Sequence, residues 1–434
     1  MKKVWGCKTP FFFDSAIRTH KIKMKQQKTN NWQIKKLGEV FIIERGGSPR
    51  PIEEYITDDE NGINWIKIGD TKGVTKYITK TNEKIKPEGL KKTRMVYEDD
   101  FILSNSMSFG RPYIMKTNGC IHDGWLVIRK NENVDNNYLY YVLTSNQVYV
   151  QFSTLAKGST VKNLNIAAVK EVEIPLPPLE TQHAIVSKIE ELFSELDKGI
   201  AELKTAQLQL KTYRQSVLKS AFEGKLTNEN VKDGELPDGW EVVKISDISR
   251  VVRGGSPRPA GDPKYYDGDI PFLKVADLTK DNGIYLTTYK YSIKEAGLHK
   301  TRQISPNTLL LSNSGATLGV PKICMINATM NDGVAAFLDL DERSNHYLYY
   351  FWVSKTLELR GINMGAGQPN LNTDLIKDYK VPYCSFEEQQ RIVQEIESRL
   401  SVADKMEQSI QESLQKAEAL RQSILKKAFC GELV

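Results

Sequence analysis

Arginine, serine and glycine at close spacing are residue types suited to holding a polyanion, and the chain carries that combination twice. Arg45-Gly-Gly-Ser-Pro-Arg-Pro51 returns as Arg253-Gly-Gly-Ser-Pro-Arg-Pro259, at an offset of 208. The glycines allow a close approach to the backbone, and the hydroxyl and two guanidiniums offer donors to phosphate or guanine. A proline-shaped bend with solvated arginines is the plainer reading of the same residues. A second pair, Leu103-Ser-Asn-Ser106 and Leu311-Ser-Asn-Ser314, runs into Met107-Ser-Phe-Gly-Arg111 and Gly315-Ala-Thr-Leu-Gly319. Short polar side chains there either read base edges or satisfy a tight turn. The candidates for DNA contact are Arg45, Ser48, Arg50, Arg253, Ser256 and Arg258, followed by Ser104, Asn105, Ser106, Arg111, Ser312, Asn313, Ser314 and Thr317.

Catalysis finds no such support. The chain has no G-x-x-x-x-G-K-[ST] phosphate loop, no dinucleotide fingerprint and no H-E-x-x-H. Gly361 to Gly367 is glycine-rich but lacks a following Lys-Ser/Thr, and no N/D-P-P-Y/F/W motif for amino-group methylation occurs. The histidines (His20, His122, His183, His299, His346) form no ligand spacing. The scattered cysteines (Cys7, Cys120, Cys324, Cys384, Cys430) include no C-x-x-C pair, which argues against a zinc site or disulfide framework and for a reducing cytoplasm. No metal site and no catalytic residue is expected in this chain.

The elements that position the loops follow from size and duplication. With 434 residues, 40% hydrophobic and 26% charged, the chain is globular and long enough for two or three domains. No run of eighteen apolar residues exists to span a membrane. The net charge of +6 resides in the start: residues 1–30 hold eight Lys/Arg and one Asp, leaving 52 basic against 53 acidic residues elsewhere. Bulk charge thus gives no support for DNA binding, which must rest on local motifs. Residues 1–30 read as a disordered extension, with Met24 an alternative start.

The repeat extends well beyond the loops. Trp32 matches Trp240, Leu90-Lys-Lys-Thr-Arg94 matches Leu298-His-Lys-Thr-Arg302, and Asp123-Gly124 matches Asp332-Gly333. Tyr138-Leu-Tyr-Tyr141 returns as Tyr347-Leu-Tyr-Tyr350, and Asn163-Leu-Asn165 as Asn370-Leu-Asn372. A period this long is a domain duplication rather than a solenoid. Each copy opens with a mixed α/β or α+β globule, residues 31–179 and 236–385, of short β-rich runs among Gly, Pro and Asn turns. A proline-free helix follows each: 180–226, then a linker 227–235, and 386–434. Ile189, Leu196, Leu203, Leu210 and Val217 recur every seven residues, as do Ile396, Ala403, Ile410, Ala417 and Ile424. Leu192, Phe193, Ile200, Ala206, Tyr213 and Ala221, and then Leu400, Met406, Leu414, Leu420 and Ala428, interleave them. Such heptads predict coiled-coil packing. If the stripes bury each other, connectivity makes the helices antiparallel, roughly 65 Å long. Two similar globules are then separated by a two-helix rod with pseudo-two-fold symmetry. The alternative packs each helix on its own globule.

This order resembles the specificity (S) subunit of Type I restriction–modification systems. Ile174-Pro-Leu-Pro-Pro-Leu-Glu-Thr-Gln182 and Phe386-Glu-Glu-Gln-Gln390 carry the resemblance, with Arg214-Gln-Ser-Val-Leu-Lys-Ser-Ala-Phe222 and Arg421-Gln-Ser-Ile-Leu-Lys-Lys-Ala-Phe429. It covers about residues 31–434. The first copy departs at Thr181-Gln182-His183, against Glu388-Gln389-Gln390, and at Gly158-Ser-Thr, against Gly365-Ala-Gly-Gln. The resemblance implies two target recognition domains, each reading one half of a bipartite double-stranded DNA sequence, with helices that set the gap. It also implies two methyltransferase (M) subunits bringing S-adenosylmethionine, and two restriction (R) subunits using ATP and Mg. The chain itself then needs no cofactor. The rival from another class is a coiled-coil adaptor presenting two protein-binding globules, and a tandem enzyme ranks last because no histidine or cysteine recurs between copies.

Overall fold

The structure is a computed structural model that describes residues 32–105, 109–130, 134–156, 163–228, 230–315, 317–362 and 371–434. The chain forms two units, one built from the chain up to Leu203 together with Glu412–Val434, the other from Lys204–Gln411.

In the first unit a five-stranded sheet has the order Phe41–Arg45, Trp125–Lys130, Phe101–Ser104, Pro112–Met115, Tyr77–Ile78. All its pairings are antiparallel except the last. Alternation along the strands decides what each face covers. Leu126 and Ile128 point with Ile43, Phe101, Leu103 and Ile114 into one core, which the helices share. Trp125 and Val127 point with Ile102, Tyr113 and Met115 into another. A strand buried on both faces reads as a continuous apolar run, hence Trp125-Leu-Val-Ile128. A second sheet, ordered Ile56–Thr57, Glu83–Ile85, Ile63–Ile66, Gly119–Ile121, Arg94–Val96, completes the globule, with a ribbon pairing Gln33–Lys36 and Glu173–Leu176.

The second unit repeats this plan. Its five-stranded sheet runs Arg250–Arg253, Val334–Leu338, Thr308–Ser312, Pro321–Cys324, Tyr285–Leu286. Leu309, Leu311, Ala335 and Phe337 face the helical core, while Leu310, Val334 and Ala336 face the other side. Its second sheet has four strands, Ser292–Ile293, Tyr266–Leu273, Ala328–Met330 and Arg302–Ile304.

The long helices are Leu179–Phe222 and Phe386–Phe429, 44 residues each. Segments of both enter each unit and run antiparallel there. In the first unit Ile185, Ile189 and Phe193 share a core with Ile424, Leu425, Ala428 and Phe429, and Arg421 lies over the Phe193 ring while pairing with Asp197. In the second, Val217, Ala221 and Phe222 share a core with Ile392 and Ile396, and Arg214 pairs with Asp404 (2.7 Å) and Glu407 (2.9 Å). The Arg-Gln-Ser repeat is thus a pair of interhelical ties. The Gln182 and Gln389 side chains are buried in the first helical turns, where their amides donate to the carbonyls of Pro177 and Cys384, both at 2.9 Å. Glycine closes each helix with positive φ, 76° at Gly224 and 73° at Gly431.

One expectation is corrected. The heptad column Ile189, Val217, Ile396 and Ala403 is buried, but Tyr213, Met406 and Leu420 among the interleaved positions are exposed. A single partner helix covers one stripe, and these positions lie beyond its reach.

Candidate nucleic-acid interface

The strand Phe41–Arg45 runs straight into the first Arg-Gly-Gly-Ser-Pro-Arg-Pro loop, and the turn Asp123-Gly124 leads into the strand Trp125–Lys130. Pairing of the two strands sets Arg45 opposite Leu126 and so brings loop and turn together. The Gly46 N–H donates to the Trp125 carbonyl at 3.0 Å and the Gly47 N–H to the Ile121 carbonyl at 3.1 Å. A Cβ on Gly46 would lie 2.3 Å from the His122 carbonyl oxygen, and one on Gly47 2.4 Å from that of Lys92. Backbone packing within the globule therefore requires both glycines, before any ligand is considered. Three donors converge on Asp123. Arg45 Nε reaches its carbonyl oxygen at 3.0 Å, the Asn105 amide reaches the same oxygen at 2.9 Å, and the Ser48 hydroxyl donates to its carboxylate at 2.8 Å. The Ser48 hydrogen bond holds the Asp123 carboxyl below the usual carboxylate range, against the opposing effect of burial.

The second loop repeats this geometry. Gly254 and Gly255 N–H donate to the carbonyls of Val334 (2.9 Å) and Met330 (3.0 Å), and added Cβ atoms would meet the carbonyl oxygens of Asn331 at 2.2 Å and Lys300 at 2.5 Å. Arg253 Nε donates to the Asp332 carbonyl at 2.5 Å, and the Ser256 hydroxyl to the Asp332 carboxylate at 2.6 Å. Arg258 lies 3.7 Å from that carboxylate with its side chain 71% exposed.

A second segment braces each loop. Lys92 Nζ donates to the Arg50 carbonyl at 3.4 Å and the Tyr55 hydroxyl at 3.0 Å, and Lys300 Nζ to the Arg258 carbonyl at 3.2 Å and the Tyr265 hydroxyl at 3.1 Å. Sequence reasoning did not place Lys92 and Lys300 among the functional residues. The signal was present in the matched Lys-Thr-Arg of the repeat.

The Ser-Asn-Ser segments sit deeper. Ser104, Asn105, Ser312 and Asn313 are no more than 3% exposed. The Ser104 hydroxyl accepts the Arg111 N–H at 3.1 Å, and the Ser312 hydroxyl accepts the Val320 N–H and donates to the Thr317 carbonyl, both at 2.8 Å. For Ser104 and Ser312 the geometry is that of the tight turn, whereas the buried Asn313 side-chain amide has no hydrogen-bond partner among the described residues. Ser314 is half-buried, Arg111 and Thr317 are exposed, and Ser106 lies outside the described residues. Arg45, Arg50, Arg253 and Arg258 are exposed. The loops are therefore rigidly seated while their arginines reach solvent.

Burial pushes the Cys120 and Cys384 thiols up to about 12 and the His122 imidazole below its ordinary value. Among the described residues no three His, Cys, Asp or Glu side chains are grouped to hold a metal ion, and no helix is long and apolar enough to cross a membrane.

Residues 29–205 and 237–416 both match the family model described as Type I restriction modification DNA specificity domain. The chain is 27% identical to the Type I restriction enzyme EcoBI specificity subunit of Escherichia coli, over 80% of this chain and 75% of that one. A putative specificity subunit of Methanocaldococcus jannaschii, for the enzyme MjaX, is 22% identical over 93% and 94%. Among solved structures, a chain from a type I R-M system superposes with a TM-score of 0.71 at 21% identity, covering 94% of this chain and all (100%) of its own. The HsdS subunit from Thermoanaerobacter tengcongensis gives a TM-score of 0.57 at 20% identity, covering 93% and 98%.

Proposed function

The chain belongs to the Type I restriction modification DNA specificity family, and from that premise we propose that each of its two units reads one half of a bipartite double-stranded DNA target. It is the specificity subunit of a type I restriction–modification system, a non-catalytic component. The observation that carries the DNA reading is the duplication itself. Both family matches coincide with a unit that seats the same loop on the same Asp-Gly turn and leaves its arginines in solvent. Arg50 and Arg258 are the foremost contacts, with Arg45, Arg253, Arg111 and Thr317 beside them. Ser48, Ser256, Ser104, Asn105 and Ser312 hold the contacting residues in place.

The long helices set the distance between half-sites and dock two methyltransferase subunits, through exposed apolar positions that include Leu208, Tyr213 and Met406 in the second unit and Leu420 in the first. Those subunits supply S-adenosylmethionine and transfer its methyl group to adenine N6. Two restriction subunits with ATP and Mg complete the cytoplasmic assembly. Much of the positive DNA-facing surface belongs to the partners, so the isolated chain binds DNA weakly.

The test is long-read detection of N6-methyladenine in host DNA with and without the gene. Loss of one bipartite motif on deletion is the expected result. Persistence of every motif in a strain that expresses the complex would leave the protein-binding adaptor as the better reading.

A further inference from the structure

The two units carry the same exposed arginines at matched places beside their loops. Arg50 and Arg258 end the two loops, and the bracing segments end at Arg94 and Arg302. Both of the latter open an edge strand of their sheet, and both are exposed. The packing of Gly47 against the backbone of Lys92 and Thr93, and of Gly255 against Lys300 and Thr301, sets each bracing segment directly beside its loop. Thr93 and Thr301 hydroxyls fix the segments further, donating to the carbonyls of Ile121 (2.6 Å) and Met330 (2.7 Å). Arg94 has only a loose ion pair, 3.5 Å to Glu44. Arg302 makes no ion pair among the described residues.

We infer that Arg94 and Arg302, with Arg50 and Arg258, form a common grip on the DNA phosphate backbone, and that base reading falls to positions where the units differ. The inference rests on the DNA-recognition reading above. Its logic is informational. A phosphate contact carries no sequence information, so two domains that read different half-sites can share it. A base contact identical in both domains would impose the same base on both. The matched arginines meet the first requirement, and their seating on rigid, repeated backbone gives each the same reach. The exposed Arg111, matched in the second unit by Val320, is a position of the other kind. Lys92 and Lys300 are positioning residues, holding the backbone of Arg50 and Arg258 against the bracing segment.

The complex of this chain with its methyltransferase subunits is titrated with target and off-target duplexes over a range of salt. Arg302→Ala and Arg94→Ala should each weaken binding to all duplexes alike and lower the slope of log affinity against log salt by about 1. Arg302→Lys, which keeps the charge, should retain the slope. Lys380→Ala, removing an exposed charge on a separate ribbon of the second unit, should leave both affinity and slope unchanged. An unchanged slope for Arg302→Ala, or a change in base preference confined to one half-site, overturns the inference while leaving DNA recognition intact. A wild-type complex with no salt-dependent affinity for any duplex overturns the recognition reading itself.

Discussion

Ser48 and Ser256 give their hydroxyls to an aspartate on a turn 75 and 76 residues away, and these two hydrogen bonds decide how the loops sit. Replacing Ser48 by Ala should destabilise the first unit by about 1 kcal/mol, the usual net worth of such a bond. Removing the exposed Arg50 side chain should cost less than about 0.5 kcal/mol. Because the folded Asp123 carboxyl sits below its unfolded value, its contribution is present above that unfolded value and lost as pH falls through the folded one. The gap between wild type and Ser48→Ala should therefore narrow as pH drops below about 3.9, which urea denaturation at several pH values would measure. The repetition of these loops was plain in the sequence. The service of the serine was not, because its partner is distant along the chain, and the tight contact that fixes Gly46 and Gly47 exists only after the strands pair. Ser104 and Asn105 show the same limit, since a short polar side chain looks alike in a sequence whether it closes a buried turn or meets a base.

The long helices were the most legible elements, for a seven-residue recurrence of apolar side chains needs no tertiary information to be seen. Its depth was overstated at Tyr213, Met406 and Leu420, which a lone partner helix leaves uncovered. Ile396 is 0% exposed, so Ile396→Ala should cost about 2–5 kcal/mol in thermal or chemical denaturation. Met406→Ala should change the stability of the isolated chain by less than about 0.5 kcal/mol. The tyrosine-rich helices diverge in a way the sequence hid. In the first unit Ser145 adopts an extended backbone and caps a new helix, Asn146–Leu155, by accepting the Val148 N–H. The matched Ser354 stays inside the continuous helix Asn345–Ile362; both serines donate to the carbonyl three residues back, Ser145 to Val142 at 2.7 Å and Ser354 to Phe351 at 2.6 Å, so the cap is what Ser145 adds. Serine suits either role, and the surrounding packing chooses.

At the scale of the whole chain, duplication and family agree on two specificity domains. Exchanging residues 236–385 for the corresponding globule of another specificity subunit should change one half of the methylated motif and leave the other half as it was, as methylation mapping would record. Which bases are read stayed outside the reach of the sequence, since no motif in it ties a side chain to a particular base. The first unit has a further property that bears on how it is made. Its core includes Ile424, Leu425, Ala428 and Phe429, which lie beyond the entire second unit in chain order. A ribosome must therefore finish the second unit before the first can close, reversing the usual N-to-C order of domain completion during synthesis. A message cut short between the units releases a first globule whose helix-facing core is open, a natural substrate for chaperones and proteases.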